Sequence, residues 1–332
     1  MIKINGITKK YGHIVAVNNI SFTVETGQIY GFLGPNGAGK TTTMNIITGC
    51  LAATSGTVEI NGYDIYEESF EAKKHLGYLP EVPPLYLDMK TGEYLRFVAE
   101  AKGIKKSELN EQVDSVLESV RIVDVKNRLI RNLSKGYRQR IGLAQAIIGN
   151  PEIIVLDEPT VGLDPRQIIE MRELIKELGK KHTVILSSHI LSEVSAICDH
   201  IVIISKGNLV ASDSSENLQK RFNSSNTLSL TVKGSIPKIK TALKKVDELT
   251  RVSMEKVSGE DMVQVTIESP SEIDSRDKVS KALINSDCLI LSMTQSMMSL
   301  EDVFLLLTGN DDSAEDDIST AVTEDGQKEE DS

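Results

Sequence analysis

The sequence predicts an α/β fold over most of its length, followed by a small α+β unit. Three observations carry this expectation. Strand-like and helix-like segments alternate through about the first 215 residues. Within that region EIIVLDE and TVILSSH carry short unbroken apolar cores of the kind that form parallel strands covered on both faces. The amphipathic PRQIIEMRELIKELGKK between them supplies the crossover helix such strands require. Beyond about Asn223 the pattern restarts in the order β-α-β-β-α-β, the order of a ferredoxin-like unit.

Taken in order, KINGITKKY, ISFTVE, QIYGFLG and GTVEINGYDI read as strands, because β-formers alternate and glycines or turn pairs such as Asn61-Gly62 separate them. A helix is expected from Lys40 to about Thr48, behind a glycine-rich loop. Residues 88–148 change character: TGEYLRFVAEAKGI, SELNEQVDSVLESV and KGYRQRIGLAQAIIG have helical spacing, which makes a helical subdomain of about 82–150 within the α/β region. In the C-terminal part TLSLTV is strand-like and PKIKTALKKVDEL helical. RVSMEKV and MVQVTIE form a hairpin through Ser258-Gly259-Glu260, EIDSRDKVSKALINS is helical, and CLILSMTQ is a strand. SLEDVFLLLTG adds a last amphipathic helix. The expected domains are therefore 1–220 and 226–308, with 310–332 as a tail.

Composition narrows the function classes. With 332 residues, 40% apolar and 26% charged, the chain is ordinary for a globular protein of about two domains. Met1 leads into a strand-like segment rather than a secretory signal. The longest apolar runs, such as IIVL at 153–156, are far shorter than the ~20 residues of a membrane helix. Cys50, Cys198 and Cys288 lack CxxC spacing and read as free thiols of a reducing compartment, and the histidines are scattered. Of the net charge of −11, residues 310–332 supply −9, which leaves the body near −2. No basic nucleic-acid footprint remains. The tail has few large apolar residues and is expected to be disordered.

Four motifs carry chemistry. GPNGAGKT at 34–41 fits G-x-x-x-x-G-K-[ST] at every fixed position, and it lies between a strand and a helix. Gly34, Gly37 and Gly39 let the backbone turn its N–H groups toward phosphates. Lys40 offers a mobile cation to the outer phosphates and Thr41 an oxygen for Mg²⁺. VLDE ends an apolar strand in two carboxylates. Asp157 suits a hard cation, and alternation along the strand leaves Glu158 free to orient a water. In LSKGYRQR, Ser134 opens a helix whose first N–H groups have no partner inside it, and Lys135, Arg138 and Arg140 follow. His189 stands at the end of TVILSS. Alone, such a histidine is more often a structural residue, so its meaning depends on its company.

Together, GPNGAGKT, LSKGYRQR, VLDEPTVGLDP and SSH occur in the order and spacing of ATP-binding-cassette (ABC) ATPases, and residues 1 to about 215 resemble that family. The resemblance implies a P-loop NTPase cassette with a RecA-like core, an N-terminal antiparallel β element and a helical subdomain. It implies ATP and Mg²⁺ as ligands. Tyr11 would stack on adenine, and Gly34, Pro35, Asn36, Gly37, Ala38, Gly39, Lys40, Thr41 and Thr42 would bind the phosphates. Ser134 and Gly136 belong to the signature, Asp157 and Glu158 to the Walker B element, and Gly162-Leu163-Asp164 to the D-loop. Catalysis would rest on Glu158, His189 and Lys40, and the metal on Thr41, Asp157 and Glu81.

In this family two cassettes pair head to tail, and the signature of one caps the ATP held by the other. A single cassette per chain therefore implies a homodimer. The remaining implied partner is a separately encoded permease, with the protein peripheral on the inner face of the cell membrane. IGYLPE, LSKGYRQR and DPRQ resemble the ABC-2 branch that exports drugs, antibiotics, peptides or lipid-like cargo. Two departures stand out: the usual LSGGQ is LSKGY here, and Glu81 replaces a customary glutamine. The alternative is a non-transport ABC ATPase of translation or DNA repair. Translation-type members have two cassettes per chain and repair-type members long coiled coils; this sequence has one cassette and no sustained heptads.

Overall fold

The computed structural model describes residues 1–222, 225–246, 248–256, 262–270, 273–296 and 300–309. The acidic tail at 310–332 and the turn at 258–260 lie outside the described residues. The chain divides into two compact units, the first built on Met1–Ser215 and the second on Glu216–Leu306.

The first unit opens with the hairpin β1 (Ile2–Tyr11) and β2 (Ile14–Val24), then runs through β3 (Ile29–Leu33), α1 (Lys40–Ile47), β4 (Ser55–Ile60), β5 (Tyr63–Asp64), α2 (Ser69–Lys74) and β6 (Leu76–Leu79). Next come α3 (Thr91–Ala101), α4 (Leu109–Ser119) and α5 (Lys135–Ile147), followed by β7 (Ile153–Asp157), α6 (Pro165–Gly179), β8 (Thr183–Ser188), α7 (Leu191–Ser195), β9 (His200–Ser205) and β10 (Asn208–Asp213). Strand β2 starts well before ISFTVE. Gly12, at φ +58°, turns the chain so that Tyr11 pairs with Ile14, and pairing carries the polar residues between them into the strand.

Two sheets form the scaffold. The antiparallel one has the order β2-β1-β4-β5; the other has the order β10-β9-β3-β8-β7-β6. In the second sheet β3, β6, β7, β8 and β9 are parallel, and β10 closes one edge antiparallel to β9. Every residue of β3, β7 and β8 is buried, as expected of strands covered on both faces. Side chains from both sheets and α1, among them Ile2, Ile20, Phe32, Met44, Ile60 and Val155, share one core. Strands β9 and β10 come from HIVIISKGNLVASD, whose Lys206-Gly207 turn has positive φ at both residues, a hairpin signal that the sequence analysis did not use.

The helical subdomain packs α3 against α4 and α5. Lys102, just after α3, lays its ammonium on the far end of α5 and donates to the carbonyls of Gln145, Ala146 and Ile148 at 3.0, 3.2 and 2.7 Å. Burial lowers its pKa to about 8. The C-terminal end of α5 is thus fixed by a cation on its orphan carbonyls.

Helix α8 (Ser215–Phe222) leads into the second unit, which contains β11 (Ser225–Lys233), α9 (Ile236–Leu243), β12 (Arg251–Lys256), β13 (Met262–Pro270), α10 (Arg276–Ile284) and β14 (Leu289–Ser296) and ends within α11 (Leu300–Gly309). Its sheet is antiparallel in the order β12-β13-β11-β14, the interleaving that β-α-β-β-α-β connectivity produces when each helix crosses over one strand. Leu228, Leu230, Val232, Val263, Val265 and Ile267 alternate onto the face covered by Ile239, Leu243, Val279 and Leu283. Helix α9 stops well short of the predicted PKIKTALKKVDEL, because the chain must return to place Thr250 beside Glu268 at the start of β12.

Candidate functional site

Strand β3 delivers the glycine-rich loop at the carboxyl end of the parallel sheet, where open α/β sheets bind ligands. Two of its glycines are required by their surroundings. A Cβ on Gly34 would stand 2.4 Å from the Ile204 carbonyl oxygen, and one on Gly39, at φ +102°, 2.5 Å from that of Ala16. Gly37 has φ +80° with open space around it. The loop is braced from outside, since the Ala38 carbonyl accepts from the Gly207 N–H at 3.0 Å and the Gly207 carbonyl accepts from the Asn18 N–H at 2.8 Å.

Lys40 is not the mobile cation expected from its type. It is 6% exposed and folds back to donate to the carbonyls of Gly34 at 2.8 Å and Pro35 at 3.2 Å. Its ammonium also lies 3.4 Å from Glu158 Oε1. Glu158 Oε2 in turn lies 3.0 Å from His189 Nδ1, so the carboxylate is held between two groups on different elements. The company His189 needed is therefore present. Glu158 faces the loop for a reason other than strand alternation: β7 has ended, and Glu158 has φ +47°, a left-handed conformation that a side chain of this type rarely adopts.

Asp157 is buried at the end of β7. Its Oδ1 accepts from Ser187 at 2.6 Å and from the Thr41 hydroxyl at 3.4 Å, whereas Oδ2 is buried with no hydrogen-bond partner. Burial, then the charges of Glu158 and Glu81, push the Asp157 carboxyl above its ordinary range against those two hydrogen bonds. An orphaned buried carboxylate oxygen beside a threonine hydroxyl is the donor set of a hard divalent cation, so the residues fit Mg²⁺. Sequence reasoning missed Ser187, whose hydroxyl also accepts from the Glu158 N–H at 2.9 Å. The available signal was a pair of hydroxyls inside an apolar buried strand, where each needs a partner. Ser187→Ala should lower catalytic turnover about 10-fold while nucleotide affinity changes little. Unchanged turnover in a phosphate-release assay would remove Ser187 from the positioning role.

Lys40, Thr41, Glu158 and His189 share a cavity of about 470 Å³ with Ala16, Asn36, Gly37, Gly39, Thr42, Glu81 and Val161, whereas Gly34, Pro35, Ala38, Asp157 and Ser187 are not among its lining residues. Glu81 reaches its rim as an exposed residue. Tyr11 is not among the lining residues; it is 49% exposed, with Lys9 Nζ 5.3 Å from its ring centroid.

Ser134, Gly136 and Asp164 are also outside that cavity. Ser134 is exposed and caps α5, accepting from the Tyr137 N–H at 3.4 Å, and Asp164 caps α6, accepting from the Gln167 N–H at 2.9 Å. Gly136 and Asp164 line a second hollow of about 230 Å³ with Tyr137, Arg140 and Gln167. The direction of Lys135, open in the sequence, is toward Gly162: a Cβ there would meet the ammonium at 2.2 Å. Tyr137 turns aside and donates to Asp124 at 2.9 Å.

Comparison with known proteins bears on the same residues. Residues 17–161 match the family model described as ABC transporter. The chain is 35% identical to the bacitracin transport ATP-binding protein BcrA of Bacillus licheniformis, over 93% of this chain and 97% of that protein. It is 31% identical to the linearmycin resistance ATP-binding protein LnrL of Bacillus subtilis, over 93% and 98%. Among solved structures, a dimeric bacterial ABC transporter cassette superposes with a TM-score of 0.60 at 24% identity, over 64% of this chain and 98% of that one, a likeness of fold.

Proposed function

The chain belongs to the ABC transporter family as an ATP-hydrolysing, nucleotide-binding subunit, and on that premise we propose that the 470 Å³ cavity is the ATP site and that a second copy completes it. The observation that carries this reading is the junction of Lys40, Glu158 and His189 beside the glycine-rich loop. The loop N–H groups and Lys40 hold the triphosphate. A polyanion competes with Glu158 for the Lys40 ammonium, and its binding frees the carboxylate to accept a hydrogen bond from the attacking water. His189 keeps Glu158 aimed at that water. The water oxygen bonds to the γ-phosphorus as the bond to the ADP oxygen breaks. Thr41 and Asp157 would hold Mg²⁺, which neutralises phosphate charge when bound, and Glu81 stands at the rim of the same cavity.

One wall of that cavity is open, and a triphosphate leaves negative charge there. In this reading Ser134 and Gly136 of a second copy supply helix N-terminal donors across the opening, with the partner's Asp164 at the same seam. Tyr11 offers its exposed face to the adenine. The motor drives a separately encoded ABC-2 type permease from the inner face of the membrane. Among the described residues no helix is long and apolar enough to cross a bilayer, which fits a pathway supplied by that permease. Val82, Tyr86 and Phe97 expose apolar surface just behind Glu81 and fit the permease contact. The names of the two relatives, one of bacitracin transport and one of linearmycin resistance, support a drug or antibiotic as the cargo.

Subunit complementation tests the shared site. Lys40→Ala breaks the phosphate cradle and Ser134→Arg, at an exposed cap, breaks the lid. Each alone should retain about 1% of activity or less. Mixed in equal amounts, they place one intact site in every heterodimer, and roughly a quarter of wild-type activity should return. No recovery in a mixture shown to contain heterodimers would sink the two-copy site.

A further inference from the structure

The second unit contains a hollow that the ATP site does not use. Its volume is about 640 Å³, within the range of small-molecule pockets, and it lies between α9 and the start of β12. Leu243 and Val246 are buried at its floor, and Leu249 and Met254 pack against the same core. Ile236 and Val252, each 37% exposed, form an apolar rim. Lys240, Lys244 and Arg251 also line it. Arg251 faces Glu268 at 3.9 Å, whereas Lys240 and Lys244 have no ion-pair partner among the described residues. Ile236, Lys240 and Leu243 fall at helical spacing i, i+4, i+7, so α9 turns one mixed apolar and cationic face toward the hollow.

A cation near the end of a helix is ordinary, since it complements the helix dipole. The dipole does not account for the buried Leu243 and Val246 at the floor of the hollow beneath the cations. Apolar floor and unpaired ammonium groups at the mouth match a ligand with the opposite arrangement, a chain that buries and a head that is negative. We propose that this hollow binds a small amphipathic anion, one acyl-type chain ending in a phosphate or carboxylate. Such a ligand would let the second unit report an amphiphile to the motor. The proposal does not depend on which cargo the transporter moves or on the two-copy ATP site.

Decyl phosphate is the probe, kept below its micellar concentration and titrated calorimetrically into the full-length protein. Decyl maltoside, with the same chain and a neutral head, and inorganic phosphate, with the head alone, are the comparisons. Decyl phosphate should bind at least about 10-fold more tightly than either, from the added worth of two exposed ion pairs. Lys240→Glu with Lys244→Glu should remove that margin while Tm and basal ATPase stay unchanged, because both side chains are exposed and far from the chemistry in sequence. Lys238→Glu with Lys245→Glu, the same charge change on the same segment outside the lining, should keep it. Equal binding of the neutral amphiphile, or equal loss in both double variants, overturns the proposal. So does displacement of the probe by a peptide of residues 310–332 that itself binds more tightly, which would assign the hollow to the chain's own acidic end.

Discussion

Glu158→Gln should bind ATP with undiminished affinity and hydrolyse it at least ~100-fold more slowly. The substitution keeps the shape of a side chain that is 7% exposed and removes only its charge and basicity. The amide nitrogen cannot accept a hydrogen bond from the attacking water, and the amide oxygen is a poor base. Loss of the carboxylate also releases Lys40 from a competing anion 3.4 Å away, so the phosphates gain the whole ammonium. The variant should therefore accumulate as an ATP-bound dimer. Phosphate release gives the turnover, and gel filtration with ATP and Mg²⁺ gives the dimer. Near-normal turnover would take Glu158 out of the chemistry, whatever the dimer does.

Gly39→Ala should abolish nucleotide binding and destabilise the first unit, whereas Gly37→Ala should do neither to the same degree. Both glycines have positive φ, a conformation that costs a side-chain residue on the order of 1–3 kcal/mol. They differ in surroundings. A methyl on Gly39 would collide with the Ala16 carbonyl at 2.5 Å, and nothing lies within 4 Å of one on Gly37. The loop cannot yield easily at Gly39, because Ala38, Gly207 and Asn18 hold it through consecutive backbone hydrogen bonds. Relief would displace the loop N–H groups that are proposed to hold the phosphates. A fall in Tm of several degrees is expected for Gly39→Ala, at roughly 2–4 °C per kcal/mol in a unit of this size. Similar Tm and nucleotide affinity for the two variants would show that crowding at Ala16 does not set the loop's shape.

Much of the candidate site was legible because its residues lie in short contiguous motifs with local mechanisms. GPNGAGKT needs glycines where the backbone turns, and the hydroxyl and ammonium follow at the helix start. The apolar runs at 153–156 and 184–186 marked buried strands because burial on both faces leaves no polar position in between. The β9–β10 hairpin and Ser187 were harder to read. A serine in a strand gains its meaning from what faces it, and here that is Asp157 on a strand thirty residues away in sequence.

By itself the sequence determined the cassette, its fully buried strands, the glycine-rich loop and the two carboxylates that follow IIVL, since periodicity and turn chemistry are properties of neighbouring residues. Only the tertiary structure decided that Lys40 is buried on its own loop and shared with Glu158. It also turned Glu158 through a left-handed backbone toward His189, and it opened a hollow floored by Leu243 and Val246 beside the lysines of α9. For the contacts of Glu158 with Lys40 and His189 the physical reason is distance along the chain: which strand ends meet depends on sheet order, a property of the whole fold rather than of neighbouring residues.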